Sequence, residues 1–431
     1  MKLGIIGGSG LDDINLIKDE QSLNVETPYG SPSSLITSGI ITGLEVCILS
    51  RHGKKHEISP TNVNNRANIF ALKKLGCTHI IATTAVGSLR EEIRRGHFVV
   101  LSDFIDFTKQ RKMTFFDSFE NGIKHTAMAE PFSDFLRKKI IESGKEMQII
   151  IHEKGVVLTI EGPRFSTRAE SMLFRQWGAD VINMSIAPEA ILAKEMGIEY
   201  AVIAMSTDYD CWKRDEKPVS WEDVLRIFED NAEKMKLLLL KIISKLSSEY
   251  RAEKEAEFIK SKIRTIPNWP KQGIMFRDIT TLLKDKEGFM KVIKIFEERY
   301  RGKDIDLIAG IESRGFLVAS ALASRLEKGM VLIRKAGKLP AETIKEEYSL
   351  EYGKDSIEIH KDAINLGNKV LLVDDLLATG GTMKGASDLI RKSGGDVVEC
   401  AFIIELFDLG GRKKLEDAGN KVYSVVGFEG E

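Results

Sequence analysis

One segment, residues 370–382, constrains this chain more than any other: Val-Leu-Leu-Val-Asp-Asp-Leu-Leu-Ala-Thr-Gly-Gly-Thr. Its large apolar residues predict a strand buried on both faces, the pattern of a parallel sheet. The run ends in two carboxylates, Asp374 and Asp375, and a turn of small and hydroxyl residues that opens a helical pattern. In open α/β sheets ligands sit at the carboxyl ends of strands, and the next helix presents free backbone N–H groups to an anion. Thr379, Gly380, Gly381 and Thr382 suit a phosphate cradle, since glycine admits close backbone approach and hydroxyls add donors. Asp374 and Asp375 are acceptors suited to vicinal ribose hydroxyls. The spacing is not that of a P-loop, which speaks against an ATPase.

At 431 residues the chain exceeds one ordinary core, and two domains fit. Short β-rich runs at 78–83, 98–101, 156–160 and 201–205 alternate with helical periods, and the alternation resumes at 307–311, 330–334 and 370–373. Both halves therefore read as α/β units with a central sheet. An amphipathic stretch from about residue 220, carrying Val224, Leu225, Phe228, Met235, Leu238, Leu239 and Ile242, predicts a closing helix. Residues 247–257 are poor in apolar side chains but rich in helix formers, without Gly or Pro, so the joint is expected to be a semi-rigid spacer dividing domain 1–248 from domain 249–431.

Lys plus Arg number 63 against 64 Asp plus Glu, so no global positive charge draws in nucleic acid or an anionic bilayer. Anions must be bound locally. Cys47, Cys77, Cys211 and Cys400 form no CxxC or Cys/His metal spacing. With no apolar run approaching about 18 residues, a cytoplasmic location without membrane contact is expected.

The signature at 370–382 resembles that of type I phosphoribosyltransferases, and its surroundings, from about 258 to 415, resemble adenine phosphoribosyltransferases. The resemblance implies that Glu312, Ser313, Arg314, Arg334, Lys335 and Lys338 meet the diphosphate of phosphoribosyl diphosphate, together with Asp374, Asp375, Ala378, Thr379, Gly380, Gly381 and Thr382. Met275, Phe276 and Arg277 would bind adenine, with Phe276 stacking on the base. Residues 348–353 match the mobile hood of that family, where Glu351 would handle a proton on the purine. Mg²⁺ is implied to neutralise the departing diphosphate, held mainly by substrate oxygens rather than directly by the protein.

In the first half, three apolar runs end in anion donors: Gly7-Gly8-Ser9-Gly10, Arg51-His52-Gly53 and Thr83-Thr84-Ala85-Val86-Gly87-Ser88. A fourth run ends in Asp208-Tyr209-Asp210, which in isolation is ordinary loop chemistry or, less often, metal binding. A glycosidic bond to adenine breaks more easily when N7 is protonated, and a buried Asp208 with a raised pKa could supply that proton. These motifs, over nearly all of residues 2–240, resemble S-methyl-5′-thioadenosine phosphorylases of the trimeric purine nucleoside phosphorylase family. The resemblance implies that Ser9, Arg51, His52, Thr84, Ala85 and Ser185 hold phosphate. It implies that Met184 meets the ribose, Phe165 packs on the base, and Asp208 with Asp210 reads adenine. His125, Val224 and Leu225 would line the 5′ end, His125 from a neighbouring subunit.

The expected whole is a purine nucleoside phosphorylase-like α/β domain followed by a type I phosphoribosyltransferase α/β domain. Methylthioadenosine and phosphate would yield adenine, and adenine with phosphoribosyl diphosphate would yield AMP. A hydrolytic nucleosidase is the enzymatic rival, and the Arg51–His52 pair favours phosphorolysis over it. A noncatalytic nucleotide sensor in one half is the rival from another class, against which Glu351 and Asp208 speak. Trimeric and dimeric tendencies in the two resemblances combine into an expected homo-oligomer, a dihedral hexamer.

Overall fold

A computed structural model describes residues 1–7, 17–120, 122–215, 221–349 and 354–430. The chain divides into two compact units, Met1–Tyr250 and Arg251–Glu431. Among the described residues of the first unit, eleven strands form one sheet. Its centre is parallel: Lys2–Gly7 lies between Leu44–Ser50 and His79–Ser88, and His79–Ser88 also pairs in parallel with Glu199–Tyr209. Leu3, Ile5, Ile6 and Ile80 to Ala82 are fully buried, as a strand covered on both faces requires. The carboxyl ends of these four strands deliver Gly7, Arg51, Thr83–Thr84 and Asp208 to one side of the sheet.

The pairing of Glu199–Tyr209 with His79–Ser88 shifts register between Ser206 and Asp208. Such an irregularity re-aims side chains at the end of a strand. Here it seats Asp208 opposite Gly87, where an added Cβ would stand 3.0 Å from Asp208 Oδ2. Glycine at 87 is therefore what admits the carboxyl group.

The boundary between the units falls inside the helix Trp221–Lys262. Met235, Leu238, Leu239, Ile242, Ile243 and Leu246 belong to the core of the first unit, while Ile259 and Ile263 belong to that of the second. The helix formers of 247–257 thus continue a helix across the joint, and their exposed polar surface needs no core of its own.

Among the described residues of the second unit, seven strands run in the spatial order Thr343–Ser349, Lys354–His360, Gly329–Lys335, Leu307–Ile311, Lys369–Leu377, Asp396–Leu406, Val422–Phe428. From Leu307–Ile311 the chain passes first to one neighbour, Gly329–Lys335, and later to the other, Lys369–Leu377, both in parallel. That reversal is a topological switch point, and the crevice beyond the carboxyl ends of the two strands is where such sheets bind ligands. The residues that follow are Glu312–Arg314 on one side and Asp374–Thr382 on the other. A separate two-stranded ribbon pairs Arg264–Pro267 with Met275–Asp278. The four cysteines remain free thiols. Among the described residues no helix is long and apolar enough to cross a membrane.

Candidate functional site

At the strand ends of the first unit lies a cavity of about 190 Å³. It is lined by Arg51, His52, Thr84, Ala85 and Ser185 on one flank and by Phe165, Met184, Asp208 and Asp210 on the other. Ten of the residues expected at this site are thus in question for one cavity, and nine of them line it together. Ser9 lies outside the described residues, as do the side chains of Val224 and Leu225. His125 is exposed, edge-on to Phe119 at 5.6 Å between ring centroids, and does not line the cavity of its own chain.

On the anion flank, Arg51 is buried and its Nε and Nη2 donate to Glu189 at 2.5 and 3.1 Å. Nη1 donates to the Thr83 carbonyl at 2.8 Å. Burial opposes the guanidinium charge, but Glu189 outweighs it and holds the Arg51 pKa above its ordinary value. The Thr84 and Ser185 hydroxyls lie 3.4 Å apart. Ser185 is the N-cap of the helix Ile186–Glu195 and lines the cavity without making a side-chain cap bond. In the first turn the Ala187 N–H donates to the Thr159 hydroxyl at 3.1 Å and Pro188 has no N–H, so this helix end offers an anion mainly the Ser185 hydroxyl. His52 Nδ1 stands 2.9 Å from the Ile58 carbonyl, which can only accept, so Nδ1 carries the proton. Burial, and after it the Arg51 charge, pushes the His52 pKa down to about 4. The neutral ring therefore offers Nε2 as an acceptor, not as the second donor that the bare sequence suggests.

On the purine flank, the Thr207 hydroxyl donates to Asp208 Oδ1 at 2.8 Å, leaving Oδ2 beside Gly87. Burial pushes the Asp208 pKa up to about 7, against the pull of the Thr207 hydroxyl and with help from the Asp210 charge. A carboxyl group that keeps a proton near neutrality can act as a general acid. The Ser166 hydroxyl is 2.8 and 2.7 Å from the two oxygens of Asp210, whose pKa burial also raises. Ser166, Thr207 and Glu189 escaped the sequence reading. Glu189 carries a legible signal: it is the lone charge in the first two turns of an apolar helix, Ile-Ala-Pro-Glu-Ala-Ile-Leu-Ala, and a carboxylate so placed requires a buried partner. The two serine and threonine hydroxyls carry none, because their role depends on the strand-end bulge.

In the second unit, Arg314 Nη1 meets Asp375 Oδ2 at 3.1 Å, joining the two strand ends at the switch point. Burial raises the pKa of both Asp374 and Asp375. The neighbouring Asp375 charge adds to the rise at Asp374, while Arg314 opposes the rise at Asp375. Gly380 adopts φ +75° as N-cap of the helix Gly381–Lys392, and no side chain caps that helix. A Cβ at Gly380 would lie 2.8 Å from the Gly411 carbonyl oxygen, so only glycine holds this turn without strain. Thr379, Gly380, Gly381 and Thr382 thus form an open helix N-terminus, with Ala378 packed against Gly411.

Glu312 accepts from Arg334 at 3.3 Å and from the Lys335 backbone N–H at 3.1 Å. Burial works against its charge, yet Arg334 outweighs burial and holds Glu312 below the usual carboxylate range. Lys335 pairs with Asp355 at 3.3 Å, Ser313 is exposed beside the loop, and Lys338 is exposed with its carbonyl accepting from Arg334 at 3.1 Å. Phe276 packs edge-on to Trp269 at 4.4 Å, and the Arg314 guanidinium lies 5.9 Å from the Phe276 ring centre. This brings the candidate base-stacking ring to the phosphoribosyl loop. Met275 is exposed next to it, whereas the Arg277 guanidinium is committed to Thr265, at 2.6 Å, and to the Phe428 ring, at 4.5 Å. Glu351 lies outside the described residues. Among the described residues no cluster of His, Cys, Asp and Glu could hold a metal ion alone.

The profile of the phosphorylase superfamily matches residues 2–244, and that of the phosphoribosyl transferase domain matches residues 278–429. The S-methyl-5′-thioadenosine phosphorylase of Drosophila melanogaster is 49% identical over 252 residues, 58% of this chain and 87% of that protein. Its counterpart from Xenopus tropicalis is 52% identical over 252 residues, 58% and 90% of the two chains. Among solved structures, methylthioadenosine phosphorylase from Schistosoma mansoni in complex with adenine matches with a TM-score of 0.55 and 41% identity, covering 57% of this chain and 92% of that one. A mutant adenosine/methylthioadenosine phosphorylase from the same organism, in complex with methylthioadenosine, matches with a TM-score of 0.54 and 40% identity over 57% and 92%. All four relatives align with little more than half of the chain, and the second profile covers most of what remains. The chain belongs to the phosphorylase superfamily through its first unit and carries a phosphoribosyl transferase domain in its second.

Proposed function

We propose that the chain is a bifunctional purine-salvage enzyme that releases adenine from S-methyl-5′-thioadenosine with inorganic phosphate and converts adenine to AMP with phosphoribosyl diphosphate. The observation that carries the first half is one cavity whose flanks hold anion donors and a carboxyl group with a pKa near 7. In this reaction a phosphate oxygen attacks C1′, the C1′–N9 bond breaks, and the electron pair it leaves on the purine is met by the Asp208 proton at N7. Arg51, Thr84 and Ser185 orient the phosphate, and neutral His52 accepts from its hydroxyl. Asp210 accepts from the 6-amino group, an arrangement that a 6-oxopurine inverts. The Schistosoma relatives bound to adenine and to methylthioadenosine support the same substrate class.

For the second reaction, the open N-terminus at 379–382 suits the 5′-phosphate, and Asp374 and Asp375 suit the ribose hydroxyls. Phe276 stacks on adenine, and Glu351 takes the purine proton as N9 bonds to C1 and the diphosphate leaves. Mg²⁺ supplies charge neutralisation of that diphosphate when bound. The adjacent carboxylates Asp374 and Asp375, of which Asp375 pairs with Arg314 at 3.1 Å, fit a site that receives further positive charge with its substrate.

The assignment extends to a cytoplasmic enzyme in a closed homo-oligomer of dihedral symmetry, His125 entering the pocket across a subunit contact. A solution mass equal to one chain would refute that assembly. Following methylthioadenosine with phosphate, Mg²⁺ and phosphoribosyl diphosphate, each omitted in turn, tests the chemistry. Without phosphate no adenine forms, and without phosphoribosyl diphosphate adenine accumulates. Cleavage that ignores phosphate would make the first unit a hydrolase, and adenine that never becomes AMP would remove adenine as the second substrate.

A further inference from the structure

Arg51 lines the anion flank of the first cavity, yet its side chain is only 3% exposed and that of Glu189 only 1%. A charge pair so deeply removed from water persists only with good geometry and further hydrogen bonds. Both are present. Glu189 takes two guanidinium N–H bonds, and its Oε2 also accepts the buried Tyr200 hydroxyl at 2.7 Å, so the carboxylate cannot swing. The Thr83 carbonyl takes a third N–H. Three of the five N–H bonds of the guanidinium are thus held by Glu189 and Thr83, and Arg51 lines the cavity with what remains.

Two consequences follow from this arrangement. The positive charge of Arg51 is already matched, so an incoming anion is met by directed donors rather than by net charge. Glu189 also stands in the first turn of the helix Ile186–Glu195, whose N-cap Ser185 lines the same cavity. One helix therefore carries both the Ser185 hydroxyl at its N-cap and the carboxylate that aims Arg51. We propose that Glu189, steadied by Tyr200, is a positioning residue for the tetrahedral oxyanion nucleophile: it holds Arg51 so that the N–H donors left at the cavity meet phosphate oxygens. This inference rests on the phosphorolysis proposed above.

The test measures KM for inorganic phosphate, KM for methylthioadenosine, and adenine affinity without phosphate. It uses the full chain as wild type, Glu189→Gln, Tyr200→Phe, Arg51→Lys and the Glu189→Gln/Arg51→Lys double variant. Glu189→Gln is expected to raise the phosphate KM by about tenfold or more, leaving the nucleoside KM and adenine affinity within about twofold. Tyr200→Phe keeps both charges and is expected to raise the phosphate KM by about two- to fourfold, which gives a readout even if Glu189→Gln does not fold. In the Arg51→Lys background, Glu189→Gln is expected to change the phosphate KM by less than about twofold, because its effect passes through the guanidinium. Three results would overturn the assignment: a phosphate KM unchanged in both Glu189→Gln and Tyr200→Phe, an equal rise with Arg51 already replaced, or a parallel loss of adenine affinity. Wild-type cleavage that needs no phosphate would instead sink the phosphorolysis on which it rests.

Discussion

In the first unit Arg51 is neutralised by a carboxylate inside the protein, Glu189, and the proposed acid Asp208 is a separate group whose pKa burial raises to about 7. In the second unit Arg314 reaches across the switch point to Asp375, one of a pair of carboxylates on the ligand side, and phosphate is offered an open helix N-terminus. Burial raises carboxyl pKa values in both places, but with different results. Asp208 has a hydroxyl on one oxygen and, among the described residues, no ion-paired cation, and burial outweighs the pull of Arg95, so its carboxyl holds a proton to about pH 7. Asp374 and Asp375 repel each other and share one cation, so their charge is completed by what binds. The contrast teaches that the chemistry follows from which group the protein leaves unmatched, more than from which residue types are present.

The hardest blow to this contrast comes from Asp208→Asn. It should lower kcat/KM for phosphorolysis by about 10²- to 10⁴-fold, the usual worth of a positioned acid, while AMP formation from added adenine is unchanged. A comparable loss in both activities would erase the division of labour. Gly380→Ala should do the reverse, because its Cβ meets the Gly411 carbonyl at 2.8 Å and its φ is +75°. The KM for phosphoribosyl diphosphate is expected to rise by about ten- to a hundredfold while methylthioadenosine cleavage is untouched. A profile of phosphorolysis against pH then sharpens the role of Asp208. In the proposed mechanism the protonated form is the active one and its pKa is about 7, so below that pH the acid is present and above it kcat/KM is expected to fall. The expected fall is about tenfold per pH unit, and a flat profile from pH 6 to 9, on an axis spanning about three units, would remove Asp208 as the acid. The smallest effect belongs to Thr207→Val. The Thr207 hydroxyl lowers the Asp208 pKa, so its loss should move the alkaline limb upward by less than about one pH unit.

Much of this was legible without coordinates. The parallel strands were readable as apolar runs, and their ends as glycine, hydroxyl and carboxylate clusters, because buried strands and anion turns both restrict residue type. The convergence of Arg51, Thr84, Ser185 and Asp208 on one cavity was expected only through resemblance, since their spacing along the chain says nothing of distance. The Arg51–Glu189 pair was missed although an isolated Glu in an apolar helix is a visible anomaly. The neutral state of His52 was not readable at all, because it follows from burial beside Arg51, and its tautomer from the Ile58 carbonyl that the turn after Gly53 brings to Nδ1. At Arg277, expected to meet the base through backbone beside Phe276, the guanidinium serves Thr265 and Phe428.

The helix Trp221–Lys262 has a practical side. Tyr250 is the last of its residues packed on the first core, and Ala256 is the next to touch a core, that of the second unit. Between them, residues 251–255 are polar or small and almost wholly solvent-facing. A polypeptide severed within those five positions would deprive neither half of a single interior side chain. The two units could then be prepared, titrated and recombined as separate molecules, which turns the question of why they share one chain into a measurable one.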